Sequence, residues 1–373
     1  MRPPKTLDEI KSTLLARAGR GNPVRGLSRE EVEAVVARLQ SVDPDHWAKV
    51  WSDPAEPWLA KAKEAEKSGG NEGARESYLK AYAYFAAARY PALFSPAMEQ
   101  AYVRARDAYQ KASRYFDPPL EVVRIPFEKK EIVGYLRLRS GEGKQPLVFH
   151  WGGIDGWKEE RQGNTEALIQ AGFSSFCIDG PGTGECPILA SPTAERVFSV
   201  AIDYLVQHPK VDPERIAVVG SSFGGYWATK VAHVEAARLR GAVNWGGGVH
   251  FFLQPAWLRE SQFASSYLFN LSETRARILG LKTVDEFIAA AASMSLLDQG
   301  WLNRPSAPML LVNGRKDEQV PINDLYLLLE HGAPKEARIF PDAGHMGKSP
   351  DALHVVIAWL KKRLGGSGGQ DLP

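Results

Sequence analysis

The sequence predicts an α/β fold: a mostly parallel sheet with flanking helices, an N-terminal helical domain and a helical lid insertion. Three observations predict it. Residues 1–117 read as helical. From Pro118 onward, short β-branched or apolar runs alternate with helical stretches, the pattern of a parallel sheet. Ile216-Ala-Val-Val-Gly-Ser-Ser-Phe-Gly-Gly-Tyr-Trp-Ala-Thr-Lys230 then reads as buried strand, sharp turn and helix, with a serine at the apex.

The helical third opens its pattern with a capping box at Ser28 and Glu31, after which Val32, Val35, Val36 and Leu39 recur at helical spacing. Trp47, Val50 and Trp51 begin another amphipathic piece, which Pro54 and Pro57 are expected to break before Trp58–Lys67 resumes it. Two long helices follow, over 74–90 and 95–116, with Ala and Tyr along their faces. Their aromatic stripe is expected to be core.

The core begins at residue 118. Residues 120–127 and 132–138 alternate at period two, as a strand pair does. Buried strands are expected at 147–150, 173–178, 216–219, 241–245, 309–313 and 338–340. Helices are expected at 158–170, 194–207, 323–330 and 351–364. The interval 246–308 is too long for one crossover and carries Phe251, Phe252, Trp257, Tyr267, Phe269 and Phe287, so it reads as a helical lid. The resulting division is 1–117 (helical), 118–245 and 309–364 (core), 246–308 (lid) and 365–373 (flexible tail).

Composition narrows the class. Of the 373 residues, 44% are hydrophobic and 24% charged, as in a globular protein, and 46 basic against 44 acidic residues leave a net charge of +2. No global field points to nucleic acid, and no apolar run approaches the ~18 residues of a membrane span. The N-terminus lacks the apolar stretch of a signal peptide. Cys177 and Cys186 are the only cysteines, without metal-type spacing, so a reduced cytoplasmic setting and no metal are expected. The expected partner is a small molecule.

In the G-x-S-x-G register only Ser222 has glycines two residues away on both sides. For Ser221 those positions hold Val219 and Phe223. A serine hydroxyl needs a base to take its proton, and histidine titrates near neutrality. Of eight histidines, His345 stands out, in Phe340-Pro-Asp-Ala-Gly-His-Met346 directly after a short strand. The imidazole needs a carboxylate to set its tautomer, and Asp317, in a turn beyond the 309–313 strand, is preferred over its neighbour Glu318. The order Ser222, Asp317, His345 is that of α/β-hydrolases. An oxyanion would need two N–H donors: Phe223, next to the nucleophile, and Gly153 or Ile154 in the loop after the 147–150 strand. Ile154 and Trp157 in that loop and Trp257 in the lid are the expected substrate contacts. Asp179-Gly-Pro-Gly-Thr-Gly184 fits neither a dinucleotide fingerprint nor a P-loop and reads as a loop packing beside the site.

Gly220-Ser-Ser-Phe-Gly-Gly225, Gly152-Gly-Ile-Asp-Gly-Trp-Lys-Glu-Glu160, Asp179-Gly-Pro-Gly-Thr-Gly184, Asp317 and Asp342-Ala-Gly-His345 together resemble α/β-hydrolases with a helical N-terminal domain. That group includes 2,6-dihydroxypseudooxynicotine hydrolase, the fermentation-respiration-switch-like esterases and fungal polyketide-shortening hydrolases. The resemblance spans nearly the whole chain. It implies the α/β-hydrolase fold, no cofactor, a homodimer, a pocket between helical domain and sheet, and the triad Ser222, Asp317, His345. It also implies hydrolysis of either a carbon–carbon bond next to a ketone or a carboxylic ester. The aromatic lid and the helical domain favour a bulky, aromatic carbonyl substrate. The competing reading is a non-catalytic binding or regulatory protein on the same scaffold, and intact candidates for every catalytic role argue against it.

Overall fold

A computed structural model describes residues 3–348 and 350–365. The tail expected at 365–373 lies, from residue 366 on, outside the described residues. The chain divides into two compact units: one comprises Glu121–Tyr267 and the chain from Leu271 onward, the other the chain up to Leu120 with Leu268–Asn270.

The second unit is a stack of six helices: α1 (Leu7–Arg17), α2 (Arg29–Val36), α3 (Pro44–Ser52), α4 (Ala55–Lys67), α5 (Asn71–Ala88) and α6 (Pro96–Ser113). Local chemistry starts most of them. Thr6 with Glu9 and Ser28 with Glu31 form capping boxes, and Asp43 and Ser95 cap α3 and α6, each followed by proline at the first helical position. The expected break at Pro57 does not occur. Pro57 sits in the first turn of α4, where no backbone N–H is needed for the helical ladder. Alanines at 74, 81, 101, 105, 108 and 112 are buried and let α5 and α6 approach closely. Tyr82 and Tyr109 pack across them at 5.2 Å with their rings tilted by 60°, and Phe269 packs edge-on against Trp47 and Tyr90. The aromatic stripe therefore packs within this unit.

The first unit is built on an eight-stranded sheet. Its elements run β1 (Glu121–Phe127), β2 (Lys130–Arg137), β3 (Gln145–Trp151), α7 (Gln162–Gln170), β4 (Ser174–Ile178), α8 (Arg196–Gln207), β5 (Val211–Ser221), α9 (Phe223–Val234) and β6 (Gly241–Trp245). The long segment after β6 holds α10 (Pro255–Glu260), α11 (Leu271–Ile278) and α12 (Val284–Ala290) with short 3-10 turns between them. The chain then returns through β7 (Met309–Gly314), α13 (Asn323–Leu329), β8 (Lys335–Phe340) and α14 (Asp351–Leu364). Strand order is β1-β2-β4-β3-β5-β6-β7-β8, with β2 antiparallel to both neighbours and all later pairs parallel.

Parallel strands need helices on both faces, so β3–β7 read as continuous apolar runs rather than alternating ones. On one face Val148, Ala217, Val219, Val243, Leu310 and Val312 pack against Val356, Trp359 and Leu360 of α14. Each fully buried aliphatic side chain there contributes about 1.5–3 kcal/mol. This rigid core aims the carboxyl ends of β3, β5, β7 and β8 in one direction, and the loops that follow them converge.

Candidate active site

The elbow after β5 is set by backbone geometry. Ser222 stands at φ 58°, ψ −129°, between the last strand residue and the first turn of α9. That left-handed conformation costs about 1–3 kcal/mol for a non-glycine residue. It is held from both sides: Ser222 N–H donates to Trp245 O at 2.7 Å, and Gly225 N–H donates to Ser222 O at 2.7 Å. Strand and helix meet so closely that a Cβ at Gly220 would lie 1.9 Å from Gly224 O, and one at Gly224 2.3 Å from Gly152 O. Both glycines of the motif are therefore required by close approach. Ser221, one residue earlier, stays in the sheet opposite Trp245.

The loops after β7 and β8 are zipped together. Arg315 N–H donates to Phe340 O at 2.9 Å and Lys316 N–H to Ala343 O at 3.0 Å. Asn313, at the end of β7, bridges them: its Oδ1 accepts from Met346 N–H (2.9 Å) and its Nδ2 donates to Asp317 Oδ2 (3.0 Å). Trp245 Nε1 donates to Met346 O at 2.6 Å, so β6 also holds the histidine loop.

This scaffold brings three distant side chains into line. His345 Nε2 lies 2.8 Å from Ser222 Oγ, and His345 Nδ1 lies 2.7 Å from Asp317 Oδ2. The Asp317 side chain is fully buried, while the imidazole keeps 12% exposure. Asp317 Oδ1 accepts from the N–H groups of Gln319 (2.8 Å) and Val320 (3.2 Å). Burial opposes ionisation of this carboxyl, but the charge and hydrogen bond of His345, with the bonds from Asn313 and Gln319, outweigh it and hold its pKa below the ordinary value. An ionised Asp317 favours the tautomer with Nδ1 protonated, which leaves Nε2 as a hydrogen-bond acceptor facing the Ser222 hydroxyl.

The other expected site residues fall as follows. Gly153 lies against the serine: a Cβ there would come 2.7 Å from Ser222 Cβ and 3.0 Å from Ser222 Oγ. Phe223 is the first residue of α9, with its ring stacked on Tyr226 at 5.4 Å. Ile154 and Trp157 are buried, and the Trp157 indole donates to Ile154 O at 3.4 Å, bracing their own loop. Trp257, on α10, donates its indole N–H to Gln319 O at 3.1 Å. Glu318, the competitor of Asp317, accepts the Ser265 N–H and hydroxyl, both at 2.6 Å, and is thereby engaged away from the imidazole.

A buried ion cluster joins the two glycine-rich loops. Lys158 Nζ, with no exposed surface, reaches Glu159 (3.0 Å), Asp179 (2.8 Å) and Glu185 (2.8 Å). Asp179 also accepts the N–H groups of Lys158 (2.8 Å) and Glu185 (2.9 Å). The loop after β3, which carries Gly153, is thus pinned to the loop after β4. Sequence reasoning missed Asn313 and this role of Lys158. The signal for Asn313 was a polar residue ending an apolar strand, whereas Lys158 in a charged Lys-Glu-Glu run looked like an exposed helix start. Among the described residues, no cluster of three or more His, Cys, Asp or Glu could hold a metal ion, and no helix is long and apolar enough to cross a membrane.

Comparison with known proteins agrees with this architecture. The Esterase FrsA-like family matches residues 29–365. Hydrolase LUC6 of Fusarium sp is 27% identical over 402 residues, covering 92% of this chain and 94% of its own. Esterase FrsA of Photobacterium profundum is 24% identical over 368 residues, covering 91% and 85%. The crystal structure of 2,6-dihydroxy-pseudo-oxynicotine hydrolase shares the fold with a TM-score of 0.76 at 22% identity, covering 91% of this chain and 95% of that one. With a family match over most of its length, the chain belongs to the FrsA-like esterases and is an α/β-hydrolase enzyme.

Proposed function

We propose that the protein is a serine hydrolase in which Ser222, His345 and Asp317 act as nucleophile, base and orienting acid on a bulky, aromatic carbonyl substrate. The observation that carries this reading is the unbroken Ser222–His345–Asp317 hydrogen-bond chain at 2.8 and 2.7 Å. Ser222 Oγ adds to the carbonyl carbon as its proton passes to His345 Nε2. The imidazolium is stabilised by Asp317. The resulting oxyanion faces the N–H groups of Phe223 and Gly153, Phe223 being the first residue of α9, where an N–H has no intrahelical partner. Collapse expels the leaving group, which takes the proton from His345, and water then repeats the sequence to free the acid.

For an ester the leaving group is an alkoxide. For a ketone it is a carbanion that needs its own stabilising substituents or protonation on departure. The segment between β6 and β7 serves in this reading as a lid that excludes water. Labelling with a fluorophosphonate, with Ser222→Ala as the negative partner, tests the nucleophile. Labelling that survives the substitution would move it elsewhere. A parallel panel of aryl esters and aryl 1,3-diketones then separates ester from carbon–carbon bond hydrolysis.

A further inference from the structure

Arg275 of α11 is 4% exposed, and no carboxylate pairs with it at ion-pair distance among the described residues. An isolated buried guanidinium is costly unless its N–H groups are used. Its Nη1 donates to Ser261 Oγ at 3.2 Å and its Nη2 to Gln319 O at 3.2 Å, and it lies 5.1 Å from the Phe252 ring centre. The cavity it lines beside Phe223 holds about 10 Å³, room for about one water-sized sphere. Its N–H groups serve protein acceptors.

The Gln319 carbonyl that Arg275 grips is gripped a second time by Trp257 Nε1, at 3.1 Å. The same residue's N–H donates to Asp317 Oδ1 at 2.8 Å. Its side chain donates to Ser266 Oγ at 3.0 Å, while Glu318 accepts from Ser265. The turn that carries Asp317 is thus stitched to the segment between β6 and β7 at four points. Two of these, Trp257 and Arg275, polarise the Gln319–Val320 peptide unit, whose Val320 N–H donates to Asp317 Oδ1 at 3.2 Å.

We infer that Trp257 and Arg275 are positioning residues for the acid: by clamping the Gln319 carbonyl they hold Asp317 in line with His345. The inference rests on the triad reading above and reassigns Trp257 from the substrate contact expected from sequence. It makes a specific kinetic claim. A residue that orients the acid affects the chemical step; one that touches substrate affects binding as well.

The test uses an ester whose acylation limits turnover, with Trp257→Phe, which keeps a ring and removes the N–H, and Arg275→Met. Trp257→Phe should lower kcat by about 3- to 10-fold with KM within about 2-fold of the parent. Arg275→Met should lower kcat by about 10- to 100-fold. In an Asp317→Asn background, where the acid is already disabled, the Trp257→Phe effect should shrink below about 2-fold. A raised KM at unchanged kcat, no effect, or an equal loss in the Asp317→Asn background would each overturn the inference. If Arg275→Met does not fold, as thermal unfolding by circular dichroism would show, Trp257→Phe alone decides. Full turnover by Asp317→Asn itself would instead sink the triad reading, and the inference with it, before either lid substitution is made.

Discussion

Gly153→Ala tests the oxyanion donor proposed at that residue. The added Cβ would sit 2.7 Å from Ser222 Cβ, 3.0 Å from Ser222 Oγ and 3.2 Å from Ser221 O, where ordinary contact begins at 3.4 Å. The loop must therefore move about 0.7 Å away from the elbow, because the serine is held by backbone bonds to Trp245 and Gly225 and cannot retreat. Gly153 has no positive φ, so alanine adds crowding without backbone strain. Overpacking of this size costs about 1–3 kcal/mol of stability. The effect on rate should be larger. Loss of one oxyanion donor costs about 10²- to 10³-fold in kcat, and a displacement approaching 1 Å forfeits much of that. Steady-state hydrolysis of an aryl ester, with thermal unfolding in parallel, gives both numbers. A folded Gly153→Ala protein with kcat within about 3-fold of the parent would refute the placement of an oxyanion donor at Gly153.

Three further outcomes follow from buried polar groups. His150 is buried on β3 beside Ser175 (2.8 Å) and Thr165 (3.3 Å), and burial, with the Arg161 charge, lowers its pKa from 6.5 to about 3. Its folded pKa is depressed, so the stability it contributes is present above pH 6.5 and drains away as pH falls toward 3, on the order of 5 kcal/mol in all. Urea unfolding of His150→Gln should show that acid-side slope flattened, and an unchanged slope would count against it. Lys158→Ala leaves two buried carboxylates and a part-buried one without their cation and should cost about 3–5 kcal/mol by chemical denaturation, with activity lost as the Gly153 loop is released; a cost under about 1 kcal/mol would contradict the cluster's role. Asp324 of α13 accepts the N–H groups of Val249, His250, Phe251 and Phe252 at 2.6–3.1 Å. Asp324→Asn turns an NH2 toward at least one of these donors and should cost about 2–3 kcal/mol, with faster hydrogen exchange over residues 249–252.

Much of the architecture was legible in the chain because its signals are local. The capping box at Ser28 depends on residues three apart, and the expected helix over 351–364 has the bounds the structure shows. Pro57 was misread because a proline breaks a helix only beyond its first turn, and where α4 starts depends on how the connection from α3 packs. The expected nucleophile elbow was legible because its glycine spacing has a steric cause that any such turn shares, seen in the 1.9 Å approach at Gly220. Trp257 is expected at the substrate on its aromatic character, and that character carries no information about the partner of its indole N–H, which donates to Gln319 O.

The sequence by itself determined the order of strands and helices, the serine register and three candidate polar groups, since periodicity and short motifs are set by neighbours along the chain. Only the tertiary structure decided that Ser222, Asp317 and His345 meet within hydrogen-bond distance. It alone decided that Asn313 ties the two loops and that Lys158 is a buried hub rather than a solvated lysine. It also joined Gln319 of the Asp317 turn to Trp257 and Arg275. The Gln319 contacts and the serine–histidine bond span 44 to 123 positions, and separations of that length are closed by tertiary packing, about which local propensity carries no information.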